Sequence, residues 1–223
     1  MRSSRDPTDH LGALQDVVTV LSRKQALEGL EADYLSSVAP LIPAHATALY
    51  LFRPQSVTPV RIAARGVDPD FLSRYEKLGR EVDPLRCWIT RTGSPNQSQR
   101  LLGLEGWQHH PVYDVVGLAS IDFAMQAPVV YDGSIIGTMN FGRDTTEGPF
   151  SAADLKAVSI LSTFLGLAIA RSLGCGEHGF EDLCRAIDGA PCGLVIMDED
   201  HAPCFLNQVA REICSRNFDA EAH

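Results

Sequence analysis

Residues able to do chemistry gather at three places. In FLSRYEKLGREVDPLRCW, residues 71–88, Tyr75 and Trp88 flank Asp83-Pro84. The residue ahead of a proline is driven out of the α region and Asp tolerates that, so the pair stops a helix whatever else it does. Between two rings, the same carboxylate is also a candidate buried acceptor for a ligand. The second place is the stretch SIDFAMQAPVV followed by IIGTMNFGR, where Asp122, Gln126, Thr138 and Asn140 alternate with Phe123, Met125, Ala127, Met139 and Phe141. Period-two geometry sends the two sets to opposite faces of a sheet. The polar set either faces water, as antiparallel sheets commonly arrange, or supplies the few placed polar groups that a small-molecule pocket needs. The third place is GWQHHPVY, residues 106–113, with Trp107, Tyr113 and the pair His109-His110. A large ring with one polar atom suits a ligand cavity and an ordinary core alike. Adjacent histidines do not share a helical face and no carboxylate-histidine spacing accompanies them, so they read as loop residues and no metal is assigned.

The remaining signals argue against an enzyme. There is no grouping of nucleophile, histidine and carboxylate, and no glycine-rich phosphate cradle. Cys87 has no resolving partner nearby, and the other cysteines, at 175, 184, 192, 204 and 214, never stand two residues apart. They read as small buried hydrophobes. No cofactor is expected.

The elements that position these residues follow from periodicity. Leu11, Leu14, Val17, Val18 and Leu21, then Leu30, Tyr34, Val38 and Leu41, mark two amphipathic helices, the second ended by Pro40 and Pro43. TALYLFR (47–53) and VRIAAR (60–65) read as a strand pair. Helical spacing returns from Pro69 to Arg80, whereas residues 93–117 are long, polar and without periodicity, a functional or mobile loop. Asp132-Gly133 between two β-prone runs predicts a hairpin over 120–142. Ser151 and Asp154 are spaced as a capping box for a helix reaching about Leu173. GCGEHG (174–179) is a linker.

The chain has 223 residues, 45% apolar and 21% charged, as ordinary globular proteins do. No apolar run approaches the ~20 residues a bilayer span needs, and MRSSRDPTDH lacks the apolar region of a secretory signal. The expectation is a cytoplasmic protein without a membrane partner. Net charge is −9, of which residues 174–223, with ten acidic and three basic side chains, contribute −7. Such a tail repels nucleic acid, and the Arg and Lys residues of 61–100 are scattered rather than striped.

The block 132–171, with a hairpin leaving as G-x-x-x-F and then P-F-S-x-x-D-L, resembles the closing half of a GAF domain, and the likeness extends over about residues 10–172. A narrower resemblance is to the signal-binding domain of LuxR-type regulators. Tyr75, Asp83, Pro84 and Trp88 match that family's aromatic and Asp-Pro group, with Phe71 alone ahead of Tyr75, and Ser120 to Pro128 resembles its strand running into a proline. Residues 180–214 look like the opening of a PAS domain, which needs ~100 residues. They are either part of a truncated PAS domain or a half-PAS docking piece.

The resulting expectation is an α+β fold: a GAF/PAS-like central antiparallel sheet, with the terminal helices on one face and a loop-and-helix cap over a pocket on the other. Residues 10–173 would be the sensory domain and 180–223 a partial PAS-like or signal-transmitting segment. The ligand-binding set is Tyr75, Asp83, Trp88, Trp107, Tyr113, Asp122, Gln126, Thr138 and Asn140. The implied function is small-molecule sensing for a LuxR-type regulator whose DNA-binding output is not visible in this chain. A homodimer through the terminal helices is the expected assembly; the contrasting readings are a ligand-free dimerisation module and a GAF-fold methionine sulfoxide reductase.

Overall fold

The computed structural model describes residues 7–53, 56–173, 192–197 and 203–218. Two helices open the chain, α1 (Pro7–Ser22) and α2 (Leu27–Leu41). Strands β1 (Ala46–Phe52) and β2 (Pro59–Arg65) follow, then the cap, and then β4 (Phe123–Tyr131), β5 (Ser134–Arg143) and the long helix α7 (Ala152–Ser172). With the two-residue strand β3 (Asn96–Gln97), these strands form one antiparallel sheet in the order β2-β1-β5-β4-β3. The α+β expectation holds. So does the hairpin: Asp132 at φ 47° and Gly133 at φ 70° supply the two positive φ angles of a tight turn whose twist matches the strands.

Helices α1, α2 and α7 cover one face. Val17, Leu21, Leu30 and Tyr34 meet Leu49, Leu51, Met125, Met139 and Phe141 there, over Val158, Leu161 and Leu165 of α7. The Ser151 hydroxyl accepts from Asp154 N while Asp154 accepts from Ser151 N, the capping box read from the sequence. Contrary to expectation, one helix, α7, is long and apolar enough to cross a bilayer, but 61% of its apolar window is buried inside the protein. Its apolar residues run around the helix because it packs on β4 with α1 and α2 beside it.

The cap consists of α3 (Pro69–Arg74), a π-turn (Tyr75–Gly79), α4 (Pro84–Thr92), α5 (Ser98–Gln108), α6 (Pro111–Val116) and a 3-10 turn (Gly117–Ala119). One expectation is refined here and two are corrected. The helix from Pro69 runs to Gly79 as read, but its last turn is widened, with Arg80 N bonding Tyr75 O five residues back. The stretch 93–117 is mostly helical, not loop. Its period is hidden because Gly103, at φ 72° and ψ 170°, kinks α5 and breaks the phase between Leu101, Leu102 and Trp107. Pro40 does not stop α2, which runs one residue further.

Farther along, β6 (Val195–Met197) pairs antiparallel with β7 (Pro203–Leu206), and helix α8 (Gln208–Phe218) follows. Asn207, fully buried, accepts from Leu194 N and Ala210 N and donates to Cys192 O, tying the pair to the helix start. The 174–179 linker and residues 180–191 lie outside the described residues, as does the turn at Asp198 and Asp200. Cys192 and Cys214 are half-buried, not the fully buried hydrophobes expected, and Cys87 is exposed. Cys87 sits on α4, whose buried face is made by Leu85 and Ile89.

Candidate functional site

The cap-facing side of the sheet is built in cross-strand rows. Ala46, Gly142 and Ala124 form a row of small residues; Ala48, Asn140, Gln126 and Asn96 form the next; Tyr50, Thr138 and Pro128 the third. Large cap residues, among them Phe71, Tyr75, Trp107 and Val116, stand opposite. Where small residues of three strands face rings that cannot collapse onto them, space is left. That space is a cavity of about 70 Å³, with almost wholly apolar walls, lined from the sheet by Ala46, Ala48, Ala124, Gln126 and Asn140 and from the cap by Phe71, Tyr75, Asp83 and Trp107.

Asp83 is its chemical centre. Only 3% exposed, it caps α4 with Oδ1, which accepts from Leu85 N at 2.8 Å and Arg86 N at 3.4 Å. Oδ2 accepts from the Tyr75 hydroxyl at 2.5 Å and from Gln126 Nε2 at 2.6 Å. The helix stop and the buried acceptor are therefore one residue using two oxygens. The helix N-terminus and two neutral donors compensate the carboxylate's burial. Burial, with Asp83 second, pushes the Tyr75 pKa well above the ordinary phenol value. Its hydroxyl stays a donor.

The π-turn sets this geometry. The widened turn carries Tyr75 inward, and a Cβ on Gly79 would lie 2.9 Å from the Tyr75 ring and 3.2 Å from Val115, so only glycine lets the ring lie there. Just beyond, Arg80 stands over the rings of Tyr50 and Phe52, at 5.3 and 5.4 Å, and donates to Val57 O. This cation-π seat lies beside Tyr50, one of the residues lining the cavity. Neither Tyr50 nor Arg80 was singled out from the sequence; the small-residue alternation Ala46, Ala48 before Tyr50 was the available signal.

Of the nine expected site residues, Tyr75, Asp83, Trp107, Gln126 and Asn140 meet at the cavity. Asn140 donates to Thr138 Oγ1 and to the carbonyls of Thr138 and Ala48. Thr138 is buried in the next row and does not line the space. Asp122 and Tyr113 form the cap's fastening instead. Asp122 Oδ1 accepts from the Tyr113 hydroxyl, Oδ2 from Thr145 N, and the Asp122 carbonyl from Trp107 Nε1. Trp88 is a correction: it stands on the flank of α4, 37% exposed, and does not reach the cavity. His110 caps α6 by accepting from Val112 N, a structural use.

No model of a known protein family matches the sequence, and no curated protein matches it. Solved structures of similar fold exist. An N-acylhomoserine lactone dependent LuxR family transcription factor from Burkholderia cenocepacia aligns at TM-score 0.55 and 16% identity, over 74% of this chain and 98% of that one. The GAF domain of a phosphoenolpyruvate-protein phosphotransferase from Coxiella burnetii aligns at TM-score 0.56 and 15% identity, over 76% and 98%. A free methionine-R-sulfoxide reductase from Neisseria meningitidis, solved with its substrate, aligns at 0.54 and 14%, over 79% and 98%. At such identities the likeness is one of fold, and the fold is GAF-like.

Proposed function

We propose that residues 10–173 form a small-molecule sensor, with its ligand between sheet and cap and Asp83 as the principal acceptor. The observation that carries this reading is a carboxylate only 3% exposed at the wall of an apolar cavity. A purely structural helix cap needs one oxygen; Asp83 holds a second one toward Tyr75 and Gln126, both of which can turn to meet a ligand. The space, about 70 Å³, is about half of an engineered cavity that admits benzene, ~150 Å³. Binding therefore requires the cap to shift or Gln126 to swing aside, which couples ligand to conformation. A buried carboxylate disfavours anions, so the fitting ligand is neutral, compact and apolar, with one N–H or O–H donor.

Resemblance to LuxR-type signal-binding domains supports a regulator as the parent, with output through a DNA-binding part outside this stretch and residues 180–223 relaying the signal. A non-catalytic role is favoured by Cys87, which is exposed and does not line the cavity. Dimerisation through α7 has less support, since its apolar residues are used against its own sheet and helices. The test is a thermal-shift screen of the whole chain with short acyl amides, lactones and indole, on wild type and Asp83→Asn. A ligand should raise the wild-type melting temperature by mass action and leave the variant unmoved; equal shifts in both would reject Asp83 as the acceptor.

A further inference from the structure

The cap is fastened to the rest of the protein at a second point that the sensor reading does not use. His45, just before β1, lies between the last turn of the cap and the loop that joins β5 to α7. Its Nδ1 is 2.7 Å from Glu147 Oε2, and its Nε2 is 3.0 Å from the carbonyl oxygen of Ala119. Both partners are acceptors. A neutral imidazole has one N–H and can satisfy only one of them, whereas imidazolium satisfies both. The loop is held ready: Asp144 Oδ1 accepts from Thr146 N, Thr146 Oγ1 and Glu147 N, and Glu147 Oε2 also accepts from Asp144 N and His45 N.

We propose that His45 is a proton-operated latch: protonated, it ties the end of the cap at Ala119 to the 144–147 loop that leads into α7, and on losing its proton to solvent it releases one of the two.

Among the described residues, the charged groups acting on the ring are Glu147 and Asp144, both from the loop. The cap contributes the Ala119 carbonyl, and the nearby Arg143 guanidinium is engaged with Asp154 and with the carbonyls of Pro43 and Pro149. Partial burial works to lower the His45 pKa, but the bond to Glu147, the Ala119 carbonyl and the charges of Glu147 and Asp144 outweigh it, so the value rises from 6.5. A raised value means the latch is whole below about pH 6.5 and is lost as pH climbs through the elevated value. A parallel tie, Asp122 to Tyr113 and Thr145 N, does not depend on that proton. Losing the latch therefore loosens the cap without detaching it. The same loop reaches Ser151, where α7 begins, so cap position and helix start share one connection.

The Trp107 Nε1–H, bonded to the Asp122 carbonyl under the cap, is the reporter. Its hydrogen-exchange protection in the full chain, corrected for intrinsic rate, should fall about tenfold as pH rises through the His45 titration, the weight of one charge-assisted hydrogen bond. His45→Gln should give low protection without a pH step. Glu147→Gln should move both the step and the His45 ring titration to lower pH. Constant wild-type protection, or a step surviving in His45→Gln, would overturn the latch, and so would a step abolished by a chelator, since a cation and not a proton would then be the bolt. The latch acts whether or not the cavity takes a ligand, so its failure leaves the sensor reading untouched.

Discussion

The two faces of the sheet are made by the same strands and obey different rules. Toward α1, α2 and α7 the strands present Leu49, Leu51, Met125, Met139 and Phe141, each closely packed among apolar side chains. Toward the cap the intervening positions present Ala46, Ala48, Ala124, Gln126 and Asn140, with space between them. One residue of shift along β4, from Met125 to Gln126, passes from the closely packed core to the cavity side of the sheet. If the cap face is the ligand site proposed above, the helix face carries stability and the cap face binding, and the two should respond separately to substitution.

The sharpest separation comes from Leu161, fully buried under the sheet. Leu161→Ala should cost about 2–5 kcal/mol in denaturant unfolding, and the residual folded protein should still bind whatever the wild type binds. Next is Asp83→Ala, which removes the α4 cap and strands the Tyr75 and Gln126 donors, for about 2–3 kcal/mol. Asp83→Asn keeps an oxygen for the helix and should cost under about 1 kcal/mol, because Tyr75 can turn its hydroxyl and Gln126 its amide to meet the new NH2. If both substitutions destabilised equally, Asp83 would belong to the stability face of the comparison.

Filling the cavity is gentler. Ala124→Val adds two methyl groups to the small-residue row and should change stability by less than about 1 kcal/mol. It should remove ligand-induced thermal shifts altogether. An alkaline titration probes both faces at once. Tyr34 on the helix face and Tyr50 and Tyr75 on the cap face all have their pKa raised, first of all by burial. Because the unfolded chain releases these protons more readily, stability must fall as pH rises above about 10. Phenolate absorbance from these three should appear together with unfolding, not before it. The smallest effect is expected of Trp88→Phe: within about 0.5 kcal/mol in stability, with binding unchanged.

What could be read from the sequence was what local chemistry decides. Asp132-Gly133 fixed a turn, Ser151 and Asp154 fixed a helix start, and strict alternation sorted Met125, Met139 and Phe141 from Gln126 and Asn140. Asp83 was legible as a helix stop and as a buried acceptor because Pro84 and the Tyr75 ring bear on one residue. What escaped was set by long-range packing or by the absence of a side chain. Gly103 concealed α5 by breaking its phase, Gly79 allowed a π-turn where spacing predicts a plain helix, and the cavity is defined by what Ala46, Ala48 and Ala124 lack. An aromatic after Asp-Pro suggests a pocket wall, but the α4 face buried through Leu85 and Ile89 leaves Trp88 on the flank, away from the cavity. His45 carries no local signal, since its partners lie 74 and 102 residues away.

The most direct test of the account is the thermal shift of wild type and Ala124→Val against the same panel of neutral acyl amides, lactones and indole. At least one compound should raise the wild-type melting temperature, and none should raise the variant's. Equal shifts in both proteins, or a wild type unmoved by every neutral donor-bearing compound, would contradict a ligand site between the sheet and the cap.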